Sequence, residues 1–131
     1  MRIFKNILAV ISSTIWISIS EFLRNQILLK KYWIGHYKSM GLTFPAEPVN
    51  GAVWGLWSLL FAITIFFLSG KFSLLWTFLF SWFIGFVLMW VVIGNLGVLP
   101  YGILAYAVPL SMVEAFVAAW ITRRIAGFPG N

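Results

Sequence analysis

The chain has 131 residues, 62% hydrophobic and 9% charged, with a mean hydropathy of +0.97 and a net charge of +6. Soluble domains carry about 25% charged residues, so this composition excludes a water-soluble globule, and the length allows one compact membrane domain, residues 1–131. Cysteine and aspartate are absent and His36 is the only histidine, which removes disulfides, thiol nucleophiles and clustered metal ligands, so no catalytic residue, cofactor or metal is expected.

The first apolar stretch predicts a helix over residues 3–23. Arg2 and Lys5 before an apolar run resemble the start of a signal peptide, and Ser18-Ile-Ser20 a small-residue cleavage site. The segment is read here as a retained span.

Residues 24–50 form the one substantial polar segment, with Arg24, Lys30, Lys31, His36, Lys38 and Glu47 among Tyr32, Trp33, Tyr37 and Phe44. Leu29, Trp33 and Tyr37 recur every four residues and predict an amphipathic interfacial helix that Gly41 and the Pro45/Pro48 pair terminate. Further spans are expected over residues 51–68, 72–93 and 103–122. The turn at Ser69-Gly-Lys-Phe-Ser73 makes the middle pair an antiparallel hairpin, and Pro109 is expected to kink the last helix. The fold class expected is all-α, an integral membrane four-helix bundle with an amphipathic interfacial segment between its first two helices.

Four spans put both termini on one side. That side carries Arg2, Lys5, Lys71, Arg123 and Arg124; the other carries Arg24, Lys30, Lys31 and Lys38. Five against four favours cytoplasmic termini by one charge. The basic excess reads as contact with anionic lipid and a topology signal rather than as a nucleic-acid footprint.

Helices in lipid associate through small side chains and interhelical hydrogen bonds. The predicted packing stripes are Thr14, Ser18, Glu21 and Asn25 in the first span, Gly51, Gly55, Ser58 and Ala62 in the second, Ser73, Thr77, Ser81 and Gly85 in the third, and Ala107, Ser111, Glu114, Ala118 and Thr122 in the fourth. Trp33, Trp54, Trp57 and Trp76 are expected at an interfacial belt rather than in a ligand cage.

Glu114 is the most informative residue. It sits mid-span with no basic residue until Arg123, where an ionised carboxylate costs roughly 2.5–3.5 kcal/mol on insertion scales, and such a residue usually faces a bundle interior or cavity. Glu21 precedes Arg24 by three and Asn25 by four residues, so these can pair locally. A last helix that brought Glu114 to them would complete a buried polar centre. The intramembrane candidates are therefore Glu114, Glu21, Arg24, Asn25 and Ser111, and the headgroup candidates Lys30, Lys31, His36 and Lys38.

Two small membrane families fail on their residues. Small multidrug-resistance transporters carry their glutamate within the first helix, whereas the deeper acid here is Glu114 in the fourth; fluoride channels have a Phe/Ser/Thr-rich break that Phe80-Ser-Trp-Phe-Ile-Gly85 lacks. The Trp- and Tyr-rich first loop and the acid in the last helix resemble small four-span bacterial membrane proteins without an assigned activity. That resemblance implies the bacterial inner membrane. Three functions fit these observations: an accessory subunit that docks another membrane protein, a homo-oligomeric transporter or channel that couples through Glu114, and a protein that binds anionic lipid headgroups. Because four short helices enclose little volume, a solute path is expected between protomers rather than within one.

Overall fold

The computed structural model describes residues 1–129, and every regular element within them is helical. Helix α1 (Arg2–Phe22) runs on through a π-helical turn (Leu23–Leu28); α2 (Lys30–Ser39) follows, then α3 (Pro48–Ser69). Helices α4 (Leu74–Trp82) and α5 (Leu88–Asn95) are halves of one rod joined by a second π-helical turn (Phe83–Val87). A single 3₁₀ turn (Tyr101–Ile103) leads into α6 (Leu104–Ala126), which continues unbroken through Pro109. Four rods result, Arg2–Leu28, Pro48–Ser69, Leu74–Asn95 and Tyr101–Ala126, each long and apolar enough to cross a membrane.

Local chemistry sets the boundaries. Pro48 opens α3 rather than only ending what precedes it, because a proline at the first helical position has no N–H to leave unsatisfied. Glu47 and Asn50 complete the start as a capping box, each side chain accepting from the other residue's backbone N–H, and so α3 begins three residues before the expected Gly51. Ser73 accepts from the Trp76 N–H to start α4. Gly41 takes φ +74° and ends α2, with the Leu42 N–H returning to the Tyr37 carbonyl at 2.9 Å.

Helix α6 is the centre of the bundle and packs on α1, α3 and α4. Its buried face is the predicted one: Ala107, Ser111, Glu114, Ala118 and Thr122, with Ala115 and Ala119 beside them. In the first helix Glu21 and Asn25 are buried as expected, but its earlier turns depart by one position. Its buried ladder is Ala9, Ser13, Ile17 and Glu21, whereas Thr14 turns back to the Val10 carbonyl at 2.7 Å. Small Ala9 and Ser13 let α1 lie against α6, where the Ser13 and Thr122 hydroxyls share a 2.6 Å hydrogen bond. Ile17, Phe61, Ala62, Ile65, Phe86, Ala118 and Ala119 form the main core. Gly85 is needed there, because a Cβ on it would stand 2.6 Å from the Phe61 ring. The outer faces are apolar; Ile3, Ile7, Ile11, Ile15 and Ile19 form an exposed row along α1.

Candidate functional site

The site grows out of the first π-helical turn. Glu21 stands on the last turn of α1, and three and four residues later Arg24 and Asn25 fall on the same inward face, all three buried. Across from them α6 presents Glu114. The Arg24 guanidinium joins the two carboxylates, donating from Nη1 to Glu114 Oε1 at 3.1 Å and from Nη2 to Glu21 Oε2. Asn25 Nδ2 donates to Glu21 Oε1 at 3.3 Å, and Trp33 Nε1 donates to Asn25 Oδ1 at 3.1 Å, which extends the network to α2. Trp16 Nε1 donates to the Glu114 carbonyl at 3.0 Å. The guanidinium also lies 5.1 Å from the centre of the Phe86 ring, so the two π-helical turns meet at this point. Such turns inside long helices recur at functional sites.

Burial makes the electrostatics consequential. Glu114 is 0%, Glu21 3% and Arg24 4% exposed. Charge-assisted bonds to a guanidinium are among the stronger polar contacts, and away from water they must offset a desolvation cost of several kcal/mol per ion. Here two carboxylates share one guanidinium, so the pairing is unequal. Glu114 Oε2, fully buried, has no hydrogen-bond partner among the described residues.

Two cavities converge on this cluster. One, of about 470 Å³, lies between α1 and the first turns of α3, bounded by Ser18, Glu21, Gly51, Gly55, Ser58 and the Pro45–Pro48 stretch. The other, of about 390 Å³, is lined by Glu21, Arg24 and Asn25 together with aromatic rings from α2, α3, α5 and the α2–α3 loop. They share Glu21, Asn25, Pro45, Asn50 and Trp54. Phe44 and Pro45 line the second cavity, Phe44 stacked on Trp33 at 5.7 Å and edge-on to Tyr37 at 5.3 Å.

These cavities correct two expectations, and they add space of small-solute size within one protomer, between α1 and the start of α3 and beside the aromatic rings. Trp33, Trp54 and Trp57 line the second cavity instead of forming only an outer belt; Trp76 does stay outward. The small-residue stripe of α3 divides, with Ser58 and Ala62 buried while Gly51 and Gly55 border open space.

The remaining candidates separate from the cluster. Ser111 donates to the Val108 carbonyl and accepts from Trp82 Nε1, both at 2.9 Å, and so pins α4 to α6. Lys30, Lys31 and Lys38 are exposed on α2. His36 is half-buried on the same helix, where its Nε2 is 2.8 Å from the Gly97 carbonyl and ties α2 to the α5–α6 turn. Among the described residues no three His, Asp or Glu side chains converge as a metal site requires. Trp16, Phe86 and the second π-helical turn carry no sequence signal that would have marked them. Comparison with protein-family models, curated proteins and solved structures gives no match. Function must therefore be argued from the site itself.

Proposed function

We propose that this chain is a multi-pass membrane protein that moves or senses a small solute, with Glu21, Arg24 and Glu114 acting together as its coupling site. One observation carries the reading: two buried carboxylates share a single guanidinium beside a cavity. The unequal pairing leaves one negative charge, which a proton or a positively charged ligand group must balance. Exchange of one for the other is the elementary step of proton-linked binding, and buried acids in membrane spans commonly serve it. The apolar outer faces of the four rods suit a lipid environment. The bacterial inner membrane and cytoplasmic termini complete the proposal, the first from the layout of the chain and the second from its five-to-four charge count.

The test is solute-driven proton movement in vesicles holding the purified protein, read with a trapped pH dye against a panel of cationic, anionic, zwitterionic and neutral solutes. Wild-type protein should move protons with one class, and Glu114→Gln should reduce that rate by about tenfold or more, equivalent to at least about 1.4 kcal/mol. Equal rates in both proteins, or no proton movement with any class, would overturn the reading.

An accessory role, docking another membrane protein, has its own support in the exposed Gly51 and Ala52 on α3. A stoichiometric second protein in the native mass of the gently extracted complex would favour it; the chain alone, or with copies of itself, would remove it.

A further inference from the structure

Carboxylates are scarce in this chain, and their distribution is uneven. Of its three glutamates, Glu21 lines both cavities, Glu47 lines the larger one and Glu114 binds the guanidinium in the wall of the smaller. Of its nine Lys and Arg residues, Arg24 alone lines either cavity, and its guanidinium is already held by two carboxylates and the Phe86 ring. A protein with a net charge of +6 thus lines its two cavities with more carboxylates than cations, its other buried cation, Arg123, lying outside both. An anionic solute would face Glu21 and find the one cation engaged.

The smaller cavity is also lined by six aromatic rings, Trp33, Tyr37, Phe44, Trp54, Trp57 and Trp90. Aromatic faces attract cations, tryptophan most strongly, and several rings around one space are a recurring means of binding alkylammonium groups. Polar groups in the lining are few, chiefly Glu21, Arg24, Asn25 and Asn50, too few to replace the hydration of a sugar or another polyol. A volume of about 390 Å³ suits a ligand of modest size, and predominantly apolar walls suit one with an apolar body.

We propose that the solute is a lipophilic organic cation, an ammonium group on a compact apolar body, seated against the aromatic rings and Glu21 of the smaller cavity. This rests on the coupling reading above and names its solute class. The cation supplies the positive charge that the unequal pairing lacks, and the rings hold its apolar body.

The probe is benzyltrimethylammonium, with neopentylbenzene as its uncharged isostere and 4-tert-butylbenzoate as an anion of similar size, each titrated into the full-length purified protein with tryptophan fluorescence as the readout. The ammonium should saturate and bind at least about tenfold tighter than either comparison compound, corresponding to about 1.4 kcal/mol or more. Trp54→Leu should weaken it by about threefold to thirtyfold, the range of cation–π contributions, while Trp54→Phe retains part of the affinity. Glu21→Gln should weaken it as well; should that variant fail to fold, the two Trp54 variants still decide. Equal binding of ammonium and isostere, preference for the benzoate, or unchanged affinity in Trp54→Leu would overturn the inference. The vesicle assay separates the two claims. Proton movement driven by anionic or neutral solutes alone would leave the coupling site standing and remove the cation. Selective cation binding without proton movement would do the reverse.

Discussion

Arg24 and Arg123 are both buried, at 4% and 7% exposure, and they are satisfied in opposite ways. Arg123 sits near the end of α6 and, among the described residues, donates only to main-chain carbonyls, to Ser69 at 2.8 Å, to Phe72 at 2.6 Å and to Pro129. The Ser69 carbonyl ends α3, where a cation complements the helix dipole, and none of the three oxygens can take up a proton in the accessible range. Arg24 donates to carboxylates, which can. One arginine therefore closes a helical turn, and the other holds two groups able to change charge beside a cavity.

The two ends of the bundle differ in the same sense. Around Ser13, Ala118 and Thr122 small residues draw helices together, whereas around Gly51 and Gly55 they border space. Small side chains permit close approach but do not enforce it. At the cavity end Trp54, Trp57 and Phe44 occupy the positions that would have to collapse.

The largest effect expected on this contrast is from Arg24→Met. It leaves two facing carboxylates without their shared cation and should cost about 3–5 kcal/mol, seen in thermal or denaturant unfolding in detergent. Adding Glu114→Gln should restore part of the loss; a double-mutant cycle with no coupling would contradict the shared-guanidinium geometry. Arg123→Met should cost less, about 1–3 kcal/mol from stranded carbonyls, and leave solute-driven proton movement unchanged. Loss of coupling in that variant would erase the distinction between the two arginines.

Glycine substitutions sharpen the comparison of the ends. Gly85→Ala forces a Cβ against the Phe61 ring and should destabilise by about 1–3 kcal/mol, whereas Gly55→Ala meets nothing within 4 Å and should stabilise α3 by up to about 1 kcal/mol. Equal melting shifts would mean that the open region closes in the membrane. The smallest effect concerns α2. Lys30→Ala with Lys31→Ala should weaken adsorption to anionic liposomes by about 1 kcal/mol per lysine while leaving cation binding intact, which a co-sedimentation assay would read.

The four apolar rods were legible because a long hydrophobic run leaves few alternatives to a helix, and the inward face of α6 was legible because Ala107, Ser111, Glu114, Ala118 and Thr122 keep a strict spacing. The spacing of Glu21, Arg24 and Asn25 gave the local half of the cluster; their meeting with Glu114 depended on how α1 and α6 are docked, which no local pattern specifies. The π-helical turns were not legible. Leu23–Leu28 and Phe83–Val87 contain no breaker and read as ordinary helix, since a one-residue expansion is decided by tertiary contacts. The aromatic wall was missed for a related reason: tryptophans near a span end have the same composition whether they face lipid or an interior space. The early turns of α1 differ from the expected stripe by one position, while Glu21 and Asn25 keep it, because Thr14 and Ser18 are as small and polar as Ser13 and only the partner surface on α6 chooses between them.

The central claim is that Glu21, Arg24 and Glu114 form one unit with a surplus negative charge that proton and cation compete to balance. Its most direct measurement is calorimetric titration of benzyltrimethylammonium into the purified protein in buffers of different ionisation enthalpy, which counts protons released on binding. Release should approach one proton per cation bound at a pH between the titration midpoints of the complex and of the free protein, and should be absent in Glu114→Gln. Binding heats that are identical in every buffer for the wild-type protein would contradict it.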